Sequence, residues 1–241
     1  MGLLRLDFGV SDGEQKDIGR ELRERFPASL GITVPMFVLE EAFAITLAMF
    51  IALFRGTYVD FWGTVLCVLG LSISYLFYII AGQYWLGRSW HLCPISGYHD
   101  GLYGMKFLLL PVVVGVAHGI GAGIRVNRTY FLEETGRDYV RTARAKGLPE
   151  TLVLYKHALK NAMIPIVTSA VAVIPFLFMG ALVTEAFFSI PGLGGYTIEA
   201  INANDFAIVR SMVFLGALLT VLSYLLVDIA YTFVDPRIRL Q

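Results

Sequence analysis

Five stretches of the chain, residues 34–54, 61–81, 107–124, 163–184 and 211–227, are almost purely apolar, and the last four contain no Asp, Glu, Lys or Arg. Each is at or near the roughly 20 residues an α-helix needs to cross a hydrocarbon layer about 30 Å thick. A segment in lipid must satisfy its own backbone hydrogen bonds, so only helices and closed β-barrels span membranes. Barrel strands alternate apolar and polar positions over about ten residues, and these runs do not alternate. One such run fits a buried helix of a soluble domain; five in 241 residues do not. The sequence reads as an all-α, polytopic membrane helical bundle with five spanning helices.

Composition narrows the function. Hydrophobic residues make up 56% of the chain and charged ones only 16%, against about 25% charged in soluble domains. Lys+Arg and Asp+Glu balance at 19 each, so no bulk basic field points to nucleic acid. Cys67 and Cys93 offer neither a disulfide framework nor metal spacing.

Sidedness follows from the basic residues. The loop 125–162 carries Arg125, Arg128, Arg137, Arg141, Arg144, Lys146, Lys156 and Lys160, the tail adds Arg237 and Arg239, and the link after the first run adds Arg55. Placing these segments in the cytoplasm puts eleven of the nineteen basic residues inside, as the positive-inside rule favours. Residues 1–30, 82–103 and 187–206 then face outward. Residues 1–30 are polar, lack a signal-peptide pattern, and suggest a short amphipathic helix over 17–25 ending near Pro27. Translocating such a segment first is hard, so the expectation is either a further hydrophobic span upstream or a misplaced N-terminal segment. Two regions result, an extracytoplasmic segment 1–30 and a transmembrane region 31–241 with the loop 125–162 in the cytoplasm.

That loop is the most informative stretch. It reads Asp138-Tyr-Val-Arg-Thr-Ala-Arg-Ala-Lys-Gly147-Leu-Pro-Glu-Thr, then Leu-Val-Leu-Tyr-Lys-His157-Ala-Leu-Lys-Asn161-Ala-Met-Ile-Pro165. Two short helices are expected on either side of Gly147-Leu-Pro149, the glycine closing the first and the proline opening the second. The first would set Tyr139, Val140, Ala143 and Lys146 on neighbouring faces, a knob for a partner's groove with Ala143 allowing close approach and arginines meeting carboxylates at the rim. A basic loop resting on anionic headgroups is the competing reading.

These residues resemble the cytoplasmic coupling loop, or EAA loop, of binding-protein-dependent ABC importer permeases, in the form of the dipeptide, oligopeptide and nickel branch. That branch has Y-[VI]-R-T-A-R-A-K-G-L and H-A-L-[RK]-N-A-x-x-P, as Tyr139–Leu148 and His157–Pro165 do here. Arg141-Thr142-Ala143 stands where the broader family has E-A-A, a departure typical of the branch. Leu6-Asp-Phe-Gly-Val-Ser11, Arg25-Phe-Pro-Ala-Ser29, Thr184-Glu-Ala-Phe-Phe-Ser-Ile-Pro-Gly-Leu-Gly194 and the stretch from Asp228 to Asp235-Pro-Arg-Ile-Arg are similar to its other elements. The family's N-terminal span, which would precede Leu6, has no counterpart.

The resemblance implies the type I ABC importer permease fold, with a sixth, N-terminal helix expected upstream and missing. It implies a transport subunit and not an enzyme, in a bacterial or archaeal cytoplasmic membrane, moving peptides or a related small solute. Its expected partners are a second permease subunit, two ATP-binding cassette ATPase subunits, an extracytoplasmic substrate-binding protein and membrane lipid, with no nucleic acid. Tyr139, Arg141, Ala143, Arg144, Ala145, Lys146, Gly147 and Leu148 would form the ATPase-coupling site. No cofactor is expected on this chain, ATP and Mg belonging to the ATPase subunits; the sequence itself has no G-x-x-x-x-G-K-[ST] loop. The turn Ile190-Pro-Gly-Leu-Gly194 would face the binding protein, or else pack on its own chain.

Other residues offer other chemistries. Glu40 and Glu41 interrupt the first apolar run, and charge within a span defaults to a functional hypothesis, so a proton-coupled carrier is the alternative. Adjacent helical residues lie about 100° apart, so at most one of the two lines a pathway. Glu185 and Asp228 are expected to reach the interface. His91, Cys93 and His99 draw on zinc-ligand types, which raises a membrane metalloenzyme, although no fourth ligand is evident. Gly115, Gly119 and Gly123 recur every four residues, a close-packing signal for a neighbouring helix, and His118 beside them is expected in an interhelical contact.

Overall fold

A computed structural model describes residues 8–13, 15–99 and 104–234, with side chains to 229. Leu6, positions 100–103 of the loop expected outside, and the tail motif Asp235–Arg239 fall outside the described residues. In chain order the elements are α1 (Ile18–Leu53), α2 (Tyr58–Ser72), α3 (Tyr75–Gly82) continued by a π-helical stretch (Gln83–Ser89), and α4 (Met105–Thr135). Then come α5 (Asp138–Ala145), α6 (Glu150–Val153), which runs through a second π-helical stretch (Leu154–Leu159) into α7 (Lys160–Met179), α8 (Leu182–Phe188), α9 (Leu193–Asn202) and α10 (Phe206–Val234). Among the described residues extended pairing amounts to one isolated bridge, Val10 to Asp17.

Among the described residues four helices are long and apolar enough to cross a membrane: Ile18–Leu53, Met105–Thr135, Glu150–Met179 and Phe206–Ile229. The expected span over 61–81 differs. It is a pair, Tyr58–Ser72 and Tyr75–Ser89, bent by 88°. Helix α2 stops where Ile73 turns extended at φ −88° and ψ 130° and gives its N–H to Gly70. Gly70, Ser72 and Ser74 are all poor helix formers, and the Ser72 hydroxyl competes for the Val68 carbonyl at 2.8 Å. The five apolar runs thus form, among the described residues, four long helices and one bent pair, which makes five spans if the pair crosses as one. The run over 163–184 is corrected too: α7 ends at Met179, and Gly180 at φ +80° starts a turn.

Helix α1 corrects the expected stop near Pro27. It continues through both Pro27 and Pro35, although an interior proline costs roughly 3 kcal/mol in an isolated helix. The buried stripe Ile18, Leu22, Ala28, Ser29, Ile32 and Thr33 runs past the first proline at helical spacing, and that packing outweighs one lost hydrogen bond. At 1.5 Å per residue the 36-residue helix is ~54 Å long. It exceeds the hydrocarbon thickness, so its charged first turns, with Arg20, Glu21, Arg23, Glu24 and Arg25, need not enter lipid.

The chain divides into two units. The first takes residues 1–37, 76–115 and 172–225. Its core joins Ile18 and Leu22 of α1 to Leu193, Tyr196 and Ala200 of α9 and Ala207, Ile208 and Met212 of α10. The second takes residues 38–75, 116–171 and 226–241. Its core sets Ala44, Ala48 and Ala52, one turn apart on α1, with Cys67, Ile124, Phe131, Ala162 and Ile166. The small residues of α4 make close contacts here: a Cβ on Gly123 would sit 2.8 Å from that of Ala44, and one on Gly119 would meet the carboxylate of Glu40.

Candidate functional site

The loop between α4 and α7 folds as a helical hairpin whose geometry follows from its sequence. The last turn of α5 closes in a Schellman arrangement: the N–H of Leu148 reaches the Ala143 carbonyl at 3.4 Å and that of Gly147 the Arg144 carbonyl at 2.9 Å. This requires a left-handed residue after the helix. Gly147 supplies it at φ +78°, in a place so open that a Cβ there would have no neighbour within 4 Å. Pro149 then caps α6, accepting the N–H of Val153 at 3.1 Å. Val140, Ala143 and Val153 form a small buried core, with Tyr139 and Leu148 packed on its edge.

Helix α5 therefore has two faces. Arg141, Thr142, Arg144, Ala145, Lys146 and Gly147 are exposed. Arg144 clasps Glu150 of α6 through two nitrogens at 2.5 and 3.0 Å, and that carboxylate raises the pKa of its guanidinium. Half-exposed ion pairs of this kind contribute under about 1 kcal/mol, so the hydrophobic core of the hairpin matters more. Arg141 is 74% exposed and has Asp138 at 3.5 Å.

Ala143 is 4% exposed and packs with Val153 of α6, so its small size permits close packing of the hairpin on itself. Tyr139 is also turned inward. Its hydroxyl donates to the carboxylate of Glu134 in the last turn of α4. Burial and then the acceptor Glu134 push the pKa of that hydroxyl up. Glu134 lies outside the set of residues expected from the sequence, and nothing in the spacing joins it to Tyr139.

The second motif-bearing turn, Thr184 to Gly194, is built differently. Glu185, expected near an interface, is fully buried. Its carboxylate accepts the Ser29 hydroxyl at 2.7 Å, the Ala181 N–H at 3.2 Å and the Gly195 N–H at 2.9 Å. Ser29 in turn accepts the Leu193 N–H at 2.7 Å. A Cβ on Gly192 would overlap this carboxylate, and one on Gly194 would fall 2.8 Å from the Leu182 backbone. Ile190 and Leu193 are buried, leaving Ser189 and Pro191 as the exposed positions of 188–194. The turn is held on its own chain through Glu185, Ile190 and Leu193.

The remaining candidates separate. Asn127 donates to Glu41 at 3.0 Å, while Glu40 lies against Gly119, so the two carboxylates do not act as a pair. His118 stacks on Tyr75 with ring centroids 4.7 Å apart. Among the described residues no three His, Cys, Asp or Glu side chains converge on a metal-sized site, so His91, Cys93 and His99 are not brought together.

Known proteins share this sequence pattern over nearly its whole length. Residues 44–240 match the family described as the binding-protein-dependent transport system inner membrane component. The dipeptide transport system permease protein DppB of Escherichia coli K12 is 31% identical, the alignment covering 99% of this chain and 78% of that one. The protein of the same name from Bacillus subtilis is 29% identical over 99% of this chain and 77% of its own length. A putative peptide transport system permease protein of Brucella abortus is 31% identical over 98% and 77%.

Proposed function

From the premise that this chain belongs to the family of binding-protein-dependent transport system inner membrane components, and is a membrane permease subunit of an ABC importer, we propose that it carries peptides across the membrane, driven by ATP hydrolysed on separate ATPase subunits. The observation that carries this reading is the two-faced α5, with a basic exposed surface of Arg141, Arg144 and Lys146 set on a self-contained hydrophobic hairpin. Such a hairpin moves as one piece when a partner grips its outer face. The peptide class is supported by the peptide permeases among its relatives.

In this reading α5 lies in a groove of an ATPase subunit. Closure of paired ATPases on ATP displaces the hairpin, and the displacement biases the permease between two access states. A second, similar permease subunit completes the pathway, and a substrate-binding protein delivers peptide from the other side.

The test is site-directed crosslinking in the assembled transporter, with Cys67 and Cys93 replaced by Ser and Ala145→Cys as the probe. A crosslink from position 145 to an ATPase subunit, intensified by ATP, is the expected result. Labelling of position 145 by an impermeant thiol reagent from outside the cell would sink the reading.

A further inference from the structure

The C-terminal end of α1 and the start of the π-helical stretch after α6 enclose a cavity of about 130 Å³. Met49, Phe50 and Leu53 form one wall, Leu154 and Tyr155 the other, all within one of the two units. Met49 and Leu154 are buried, so packing already present builds the floor. The Thr46 hydroxyl in the lining is turned back onto the Ala42 carbonyl at 2.7 Å, which leaves the surface apolar. Such a space offers water no partners. It is smaller than the roughly 300–1,000 Å³ of ordinary small-molecule sites and too narrow for a partner's helix about 10 Å across. One extended hydrocarbon chain fits it.

The neighbouring residues set its level in the membrane. Phe50 is half exposed near the end of the apolar helix α1. The turn that follows brings Tyr58 and Trp62, 86% and 58% exposed, the residue types that gather at the headgroup level. Each wall also carries an exposed cation, Arg55 two residues beyond Leu53 and Lys156 next to Tyr155. The acids nearest to them in sequence are engaged elsewhere, Glu150 with Arg144 at 2.5 Å and Asp60 with Arg128 at 2.6 Å. An apolar slot with a positive rim, at the boundary of headgroups and tails, matches both ends of one molecule.

We infer that this cavity is a binding site for an anionic phospholipid: one acyl chain lies between α1 and the π-helical stretch, while Arg55 and Lys156 hold the phosphate. The bound lipid bridges α1 to the segment that follows the coupling hairpin, so the hairpin is seated partly on lipid. This requires that α1 span the membrane and is independent of which solute is carried.

The experiment uses the complete transporter in nanodiscs that contain a phospholipid with a photoactivatable diazirine in one acyl chain. Phosphatidylglycerol and phosphatidylcholine are compared at the same mole fraction. Labelling is expected at 46–53 and 151–155. One cation near a membrane surface is worth about a fivefold preference for anionic lipid, so phosphatidylglycerol should label these segments at least about fivefold more strongly. Arg55→Gln with Lys156→Gln should bring the ratio close to one. Thr151 is an exposed part of the lining, and Thr151→Trp should fill the slot and remove labelling of 46–53 by either lipid. Should a variant assemble poorly, the comparison of the two lipids on the unaltered chain decides alone. Equal labelling by the two lipids, or none at either segment, would overturn the inference. A thiol crosslink from Leu53→Cys to another subunit in place of lipid labelling would also overturn it and give the cavity to a protein. The coupling reading is judged separately, by the crosslink from Ala145→Cys, which these variants leave untouched.

Discussion

The two turns that carry sequence motifs, 138–153 and 180–195, solve the same problem of reversing a helical chain by opposite means. Each uses a left-handed glycine, Gly147 in one and Gly180 in the other. Around Gly147 there is open space, and the side chains of the α5 outer face stand in solvent. Around Gly180 a Cβ would meet Glu185, and would come within 3.0 Å of both the Gly194 N–H and the Ser29 hydroxyl. The first turn is closed by backbone bonds and three small apolar side chains, so its outer face is free to serve a partner. The second is closed around a buried carboxylate, and its residues are occupied holding one another. Motif density in a loop therefore says nothing by itself about contact with a partner; burial separates the two cases.

The largest effect is expected in the buried turn. Glu185→Ala strands the Ser29 hydroxyl and the Ala181 and Gly195 N–H groups, and the loss should be about 3–5 kcal/mol, seen as a large drop in the unfolding temperature of the detergent-solubilised protein. A drop of only a degree or two would erase the distinction between the turns. Ala143→Asp places a charge in the hairpin core and should cost about 2–4 kcal/mol locally. Limited proteolysis should then cut at 138–153 while the spans stay protected; equal protection would mean that α5 is not held by this core. Gly147→Val meets no clash, only the left-handed backbone penalty of about 1–2 kcal/mol, so it should fray α5 in hydrogen exchange without affecting the spans.

A smaller effect separates the carboxylates by pH. Asp205 caps α10 through the Ile208 N–H at 3.2 Å, and also takes the Ser11 hydroxyl and the Gly13 N–H. Burial pushes its carboxyl up, but these donors outweigh burial and hold it below the usual carboxylate range. A depressed folded pKa contributes stability that is fully present above the unfolded value and is lost as the pH falls through the folded one. Asp205→Ala should cost about 1 kcal/mol near neutrality, and the gap to the unaltered protein should close as the pH drops below the carboxylate range. A gap that widens on acidification would reverse the assignment. The smallest effect on stability belongs to Arg141→Ala, under about 0.5 kcal/mol, while ATPase association should weaken measurably by pull-down. Loss of stability without loss of association would show the outer face to be structural.

Much of this architecture was legible in the sequence because lipid imposes a one-dimensional rule: uncharged runs of sufficient length become helices wherever they fall. The hairpin was legible for a similar reason, since Gly147 and Pro149 act on their own backbone. The bend after Ser72 had a visible signal in Gly70, Ser72 and Ser74, which the apolar character of 61–81 masked. The continuity of α1 through Pro27 had no local signal, because it depends on a stripe from Ile18 to Thr33 packing against residues far away in the chain.

What the amino-acid order settled unaided is the place of the apolar helices, the basic loop between α4 and α7, and the family. Only tertiary structure decided which face of α5 is free, that Ala143 and Glu185 look inward, and that Tyr139 meets Glu134. The reason is physical: backbone preference and hydropathy act over a few neighbours, whereas burial and hydrogen-bond partnership are properties of residues that folding alone brings together.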